Sequence, residues 1–266
     1  MSVRPGIITL LTDFGQLDPY AGVMKGAILG IYPEARIVDL THEVPAQRVA
    51  EANFALRGSY AYFPEGTVHV VVVDPGVGSD RRIICARSRK RLFLAPNNGV
   101  LTGIVEAGDE VREVTNGDLF LSGSISRTFH GRDVFAPVAA HLAAGTAFEQ
   151  VGDPISDLVR LDLSEPQWLD ERTILGEVIH VDRFGNLISN IREQDLLALP
   201  GGPGMVSFRN QEIGCPVESY AAVPTGTPLA VVDSFGFLEI AVSSGNAAHH
   251  FNATLGDRLK VTARGS

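Results

Sequence analysis

Residues 68–82 read VHVVVVDPGVGSDRR. The run over 67–73 is apolar and β-branched almost throughout, the pattern of a strand buried on both faces in a parallel sheet. It stops at Asp74. Asp-Pro-Gly is a good turn sequence, so Asp74 either caps a turn or faces a crevice at the strand's carboxyl end. Two glycines lead on to Arg81 and Arg82.

Upstream, residues 6–11 are a short apolar run ending in TDFG, a strand and a turn. Residues 20–32 have helical spacing at Val23, Ala27, Ile28 and Ile31, and Pro33 stops them. Residues 35–40 read as a second strand. Residues 49–62 read as a second helix with Val49, Ala52, Leu56 and Tyr60 on its apolar side and Asn53 as a polar exception there. The β-α-β-α-β order predicts parallel pairing with crossover helices. Downstream, residues 83–87 and 91–95 form a hairpin on the basic turn SRKR, residues 100–107 a helix, and residues 129–145 a loop feeding a helix that ends on glycine.

The texture changes over 158–172, a polar stretch with Pro166 and no clear period. Strand-like runs at 176–181, 187–191, 205–208, 228–232, 238–242 and 258–263 follow, separated by Gly, Pro and Asn. The predicted fold is an α/β N-terminal domain with a layered, mostly parallel central sheet over 1–160, a linker over 161–171, and a smaller all-β, barrel-like domain over 172–266.

Composition fits a packed protein: of 266 residues, 45% are hydrophobic and 20% charged, with a formal net charge of −9. That balance argues against nucleic-acid and anionic-membrane partners, which want clustered Lys and Arg. Cys85 sits in an apolar strand-like run, read as a buried thiol, and no Cys/His cluster suggests zinc. His42-Glu43 and His249-His250 are adjacent pairs without ligand spacing, expected to be exposed. The start, MSVRPGIITLLTDFG, lacks the long apolar stretch and cleavage site of a signal peptide, and no run is long enough to span a membrane, so the expectation is cytoplasmic and soluble.

Several residues could carry chemistry. Asp13 and Asp74 each end a strand, and both line one crevice if strands one and three are neighbours. Phosphate-loop, dinucleotide and serine-hydrolase motifs are missing. His130, between Phe129 and Gly131-Arg132-Asp133, lies at a loop-to-helix junction and is either a structural loop histidine or a crevice group. Asp182-Arg183-Phe184-Gly185-Asn186 interrupts two strands: a hairpin turn, or an acid for an ammonium beside an amide that reads a purine edge. Ser234-Phe235-Gly236 and Asn246-Ala247-Ala248 divide in the same way.

Taken together and in order, LTDFGQLDPYAGVMKG, THEVP, YFPEGTVHVVVVDPGVGSDRR, APNNGVLT, FHGRD, DRFGNLISNI and SFGFLEIAVSSGNAA resemble the S-adenosylmethionine hydroxide adenosyltransferases, relatives of the fluorinating and chlorinating enzymes. The resemblance covers nearly the whole chain. It implies attack of water or hydroxide on the ribose C5′ of S-adenosylmethionine, giving adenosine and L-methionine, with no cofactor beyond that substrate and no metal. It also implies a homotrimer with the site between neighbouring subunits. The family's Asp, Arg and His fall on Asp74, Arg81 and His130, with Arg82 adjacent. Asp13 matches the acid that holds the ribose hydroxyls. Asn186, Asn246 and Ala247 match adenine contacts, Asp182 and Ser234 the amino-acid end, and Phe129 and Phe184 aromatic walls. Gln47 stands where some relatives place a large aromatic, Phe235 replaces an arginine of the fluorinating enzyme, and Asn97 is open to a structural role. Alternatives are a halogenase forming 5′-halo-5′-deoxyadenosine and a non-catalytic sensor. A carboxylate at Asp74 and a histidine at 130, where the halogenating relatives have neither, favour water.

Overall fold

The computed structural model describes residues 6–265. The first five residues of the stretch read for a leader lie outside them. The chain divides into two compact units, Met1–Asp162 and Leu163–Ser266.

In the first unit, β1 (Ile7–Thr12) lies between β2 (Arg36–Thr41) and β3 (Val68–Val72), all parallel. β3 also pairs in parallel with β5 (Arg91–Pro96). β4 (Ile83–Ser88) runs antiparallel to β5 and to β6 (Glu110–Glu113). The order β2-β1-β3-β5-β4-β6 makes a mixed sheet, its parallel half built by crossovers and its antiparallel half by a hairpin. In that hairpin Arg89 and Lys90 have φ of 49° and 60°, the paired left-handed residues of a type I′ turn, which matches strand twist.

Every residue of β3 is buried. Val68, Val70 and Val72 pack with Met24 and Ile28 of α1 (Tyr20–Ile31) and with Val138 and Leu142 of α3 (Ala136–Ala144). Val71 and Val73 pack on the other face with Ala52 and Leu56 of α2 (Val49–Ser59). Burying each valine side chain stabilises by roughly 1.5–3 kcal/mol, so this strand anchors both layers.

Two local expectations change, at α1 and at residues 100–107, while Asn53 is buried on the apolar side of α2 as expected. The buried stripe of α1 is Ala21, Met24 and Ile28, while Val23 is exposed. The helix is apolar nearly all round, so spacing alone does not choose its face. Asn53 is buried because its Nδ2 donates to the carbonyls of Val100 (2.9 Å) and Thr102 (2.8 Å). Those carbonyls belong to the stretch read as a helix over 100–107, which is instead a set of turns. Gly99 and Gly103 have φ of 94° and 73°, which a right-handed helix cannot contain.

The second unit is an eight-stranded, mostly antiparallel sheet, nearly closed into a barrel-like shape. Its path is β11 (Gln211–Gly214), β10 (Pro203–Phe208), β14 (Arg258–Ala263), β8 (Thr173–Val181), β9 (Leu187–Arg192), β13 (Phe237–Val242) and β12 (Pro228–Val232). β7 (Gln167–Asp170) pairs with β8, so part of the polar 158–172 stretch is a strand. The enclosed core gathers alternate strand residues such as Val206 and Phe208, Leu238 and Ile240, and Leu259 and Val261. Two short helices, α4 (Glu193–Ala198) and α5 (Ala247–Phe251), carry too few turns to show a period in the sequence.

Candidate active site

β1 and β3 are hydrogen-bonded neighbours, with Thr12 opposite Val72. Asp13 and Asp74 therefore leave the carboxyl ends of adjacent parallel strands, where open α/β sheets place ligands.

Beyond Asp74 the chain turns tightly: Val77 N–H donates to the Asp74 carbonyl (3.2 Å), and Ser79 N–H to that of Gly76 (3.1 Å). Gly78, with φ of 77°, passes so close to the Arg127 carbonyl that a Cβ would lie 2.3 Å from its oxygen. The loop thus folds Arg81 back onto Asp74. Arg81 Nε donates to Oδ1 and Oδ2 of Asp74 (2.9 and 2.8 Å), and its Nη2 reaches Oδ2 at 2.5 Å. Both side chains are largely shielded, with exposures of 11% for Arg81 and 5% for Asp74. Arg81 Nη2 also lies 2.7 Å from His130 Nδ1. Arg82 turns away to pair with Asp157, so the adjacent arginine does not share this contact.

A guanidinium only donates, so His130 Nδ1 is the acceptor and the proton of the neutral ring sits on Nε2. Burial and then the Arg81 charge hold the His130 pKa below the ordinary histidine value, while Asp74 and Asp133 pull the other way. His130 precedes a π-helical stretch, Gly131–Phe135, that runs into α3. Such widened turns are frequent at functional sites. Gly131 packs where a Cβ would lie 3.1 Å from Met24 Sδ and from Phe129. Asp133, buried, accepts from Arg132 Nε (2.6 Å) and from Ser126 N–H (2.7 Å), which ties down the serine-containing loop before His130.

Phe129 meets Phe14 and Tyr20 at ring-centroid distances of 5.9 and 5.3 Å. Phe14 and Tyr20, like Asn98, whose Nδ2 holds the Val73 carbonyl at 2.9 Å beside Asp74, were not singled out by sequence. Their signal was adjacency to TDFG, DPYAG and PNNG. Asn97 ties the chain to residues 157–159 through Asp157 and Val159, a structural task. Asp13 Oδ2 accepts from Gln47 N–H (2.8 Å), and Gln47 adopts φ of 64°, a left-handed conformation unusual outside glycine. His42, expected exposed, is buried: Nδ1 is 2.8 Å from Thr12 Oγ1 and Nε2 is 3.0 Å from Asp39 Oδ1. Nδ1 is hydrogen-bonded to Thr12, while Nε2 faces Asp39 without hydrogen-bond geometry.

In the second unit the β8–β9 turn is held by Asp182, whose Oδ1 accepts from the N–H of Phe184 (2.9 Å) and Asn186 (2.8 Å) and whose Oδ2 accepts from Asn186 Nδ2 (3.0 Å). Gly185, with φ of 83°, faces the Asn246 amide at a distance that no Cβ would allow, and Ala248 N–H donates to the Gly185 carbonyl (2.8 Å). Asn186, Asn246 and Ala247 are thereby gathered at one end of the sheet. Asn246 Oδ1 also caps α5 at His249 N–H (2.7 Å). Ser234 lies on the β12–β13 turn beside Asp233, and the carboxylates of Asp182 and Asp233 both act on Glu239, which brings this turn and the β8–β9 turn within electrostatic reach of each other. Phe184 is 74% exposed and Phe235 49%. No cluster able to hold a metal ion occurs among the described residues, and none of their helices is long and apolar enough to cross a membrane. Cys85 is buried, with its thiol pushed up to about 12 by desolvation.

The sequence model of the SAM hydroxide adenosyltransferase N-terminal domain matches residues 8–152, and that of the C-terminal domain residues 176–260. The chain is 38% identical to an (R)-S-adenosyl-L-methionine hydrolase of Salinispora tropica, over 96% of this chain and 97% of that one. It is 28% identical to a fluorinase of Nocardia brasiliensis, over 97% of each. The crystal structure of an uncharacterized conserved protein from Thermotoga maritima superposes with a TM-score of 0.88 at 39% identity, covering 97% of this chain and 100% of that one.

Proposed function

The chain belongs to the SAM hydroxide adenosyltransferase family, and from that premise we infer that it is an enzyme that hydrolyses S-adenosyl-L-methionine to adenosine and L-methionine. Water or hydroxide supplies the oxygen of a new C5′–O bond. The electron pair of the C5′–S bond leaves on the methionine sulfur, and one proton is released. The sulfonium is already a good leaving group, so the protein's task is to orient and activate water, whose bulk pKa is about 15.7.

One observation carries the reading: a partly buried Asp74–Arg81–His130 array at the carboxyl end of the central strands. In this role Asp74 accepts a hydrogen bond from the attacking water. Neutral His130 donates to it from Nε2, and Arg81 fixes both groups in line with the C5′–S bond. A halide nucleophile is disfavoured there, because a buried carboxylate repels an anion.

The remaining assignments are part of the same proposal. Asp13 takes the ribose hydroxyls. Phe129 and Phe184 wall the pocket, Asn186, Asn246 and Ala247 take adenine, and Asp182 and Ser234 take the amino-acid end. No further cofactor is invoked. A cytoplasmic homotrimer, with each site built between neighbouring subunits, would cover the exposed rings of Phe184 and Phe235.

A product assay in heavy-oxygen water tests the proposal. Label in the adenosine 5′-oxygen is the expected result. Bound but unconverted substrate after long incubation would mark a sensor instead, and 5′-chloro-5′-deoxyadenosine in chloride buffer a halogenase.

A further inference from the structure

A polar chain, solvent-accessible at Lys25 and Asp39 and buried at His42 and Thr12, leads to the residue before Asp13. Lys25 Nζ donates to Asp39 Oδ2 at 2.6 Å. Asp39 Oδ1 lies 3.0 Å from His42 Nε2, and His42 Nδ1 lies 2.8 Å from Thr12 Oγ1. Thr12 Oγ1 accepts from Phe14 N–H at 3.2 Å, across the residue in question. Thr12 and His42 have exposures of 0% and 1%, so these groups have no water to fall back on. Two backbone bonds clamp the same segments: Gly15 N–H to the His42 carbonyl (2.7 Å) and Val44 N–H to the Thr12 carbonyl (3.4 Å).

The protons can be assigned from chemistry. His42 Nε2 faces the Asp39 carboxylate, which only accepts, so the proton of a neutral ring sits on Nε2 and Nδ1 accepts the Thr12 hydroxyl proton. The chain then has a single sense from Asp39 to the backbone that brackets Asp13, its Asp39–His42 link being a 3.0 Å contact outside hydrogen-bond geometry. Burial raises the Asp39 pKa, but Lys25 and His42 together outweigh it and hold the carboxyl below its ordinary value.

We propose that Asp39, His42 and Thr12 form a positioning relay that fixes the rotamer of Asp13 for the two ribose hydroxyls of the substrate. The relay touches no reacting atom. It acts through the turn at residues 12–15, while the strained Gln47 N–H occupies Asp13 Oδ2 from the other side and leaves Oδ1 to be aimed. The proposal rests on the reading of Asp13 as the ribose ligand.

The test is calorimetric binding of adenosine and of 2′,3′-dideoxyadenosine to the full chain, a readout independent of turnover. A carboxylate holding two hydroxyls should favour adenosine by roughly 10- to 100-fold. Thr12→Val, nearly the same shape without the hydroxyl, should cut that preference to about threefold while dideoxyadenosine binds as before. Thr12→Ser should restore it. Thr12→Val should also raise KM with little change in kcat, since it loosens binding rather than the attacking water. If Thr12→Val fails to fold, Asp39→Asn at the exposed end of the chain should lower the preference in the same direction.

Two failures are distinguishable. Equal binding of both nucleosides by the unmodified protein overturns the ribose reading and the relay with it. A preference that Asp13→Ala abolishes but that Thr12→Val and Asp39→Asn leave intact overturns the relay alone.

Discussion

Nη2 of Arg81 stands 2.7 Å from Nδ1 of His130 while the same guanidinium grips Asp74. The ring's Nδ1 lone pair is therefore spent on a permanent cation, and a neutral His130 can only donate from Nε2. The one anionic acceptor in the array is Asp74, and the expected behaviour of variants follows from that division.

Replacing Asp74 with Asn keeps the volume and removes the charge. Adenosine formation should fall by roughly 10²- to 10⁴-fold in kcat, with a much smaller change in KM. Because Arg81 is then buried without its partner, the variant should also lose on the order of 3 kcal/mol of stability. Denaturant unfolding alongside the assay separates the two effects. Wild-type turnover in Asp74→Asn would remove this residue from the mechanism.

Burial and Arg81 depress the His130 pKa, so the folded protein keeps this ring neutral below the ordinary value of about 6.5. The sign follows directly. Activity that needs neutral His130 should persist as pH falls through about 6.5 and drop only below it. Stability contributed by the neutral ring is complete above that pH and is lost as pH falls toward the folded-state value. Since Asp74 raises the pKa of His130, Asp74→Asn should move the titration further down, visible by histidine NMR even without turnover.

Glu239 provides the opposite case. It is buried, and desolvation, with Asp182 and Asp233 adding, raises its pKa to about 7 despite the 2.8 Å bond from Tyr220. A raised carboxyl favours the protonated fold. Its stabilisation is whole below the unfolded value near 4.3 and is lost as pH rises through about 7. Glu239→Gln should flatten the unfolding midpoint against pH between those values. A profile unchanged in slope would contradict the assignment.

Gly78 and Gly108 both have positive φ, but only Gly78 is crowded, by the Arg127 carbonyl. Gly108→Ala should cost about 1–2 kcal/mol from backbone strain alone. Gly78→Ala should cost more and should also reduce turnover, because its loop carries Arg81 to Asp74. Thermal unfolding and kcat measured on both variants make the comparison.

Asn53→Ala should leave the buried carbonyls of Val100 and Thr102 without their donor. The expected loss is about 1–3 kcal/mol, read as a shift in the denaturant midpoint with activity per folded molecule unchanged.

Much of this was legible before any coordinates. The apolar run over 67–73 reads as an inner strand, and SRKR between two apolar runs as a tight turn, because burial and turn chemistry are local properties of the chain. Order of elements then implied parallel strands with crossovers, and alternation with Gly and Pro breaks implied the barrel-like sheet. The failures were local as well. Residues 100–107 have a helical spread of apolar side chains, yet Gly103 and the side chain of Asn53 satisfy that backbone as turns. His42 looked like an exposed pair with Glu43, because nothing near it in sequence announces Thr12 or Asp39.

What the sequence by itself determined is which residues must be buried and where the chain must turn, including the halt of the central strand at Asp74. What only tertiary structure decided is adjacency. It put β1 beside β3, so that Asp13 and Asp74 share one end of the sheet. It chose Arg81 over Arg82, brought His130 to that guanidinium from 49 positions away, and closed the chain from Asp39 through His42 to Thr12. Periodicity reports only whether a side chain meets water. Which partner it meets is set by packing between segments far apart in the chain, where hydrogen bonds sheltered from solvent hold one arrangement.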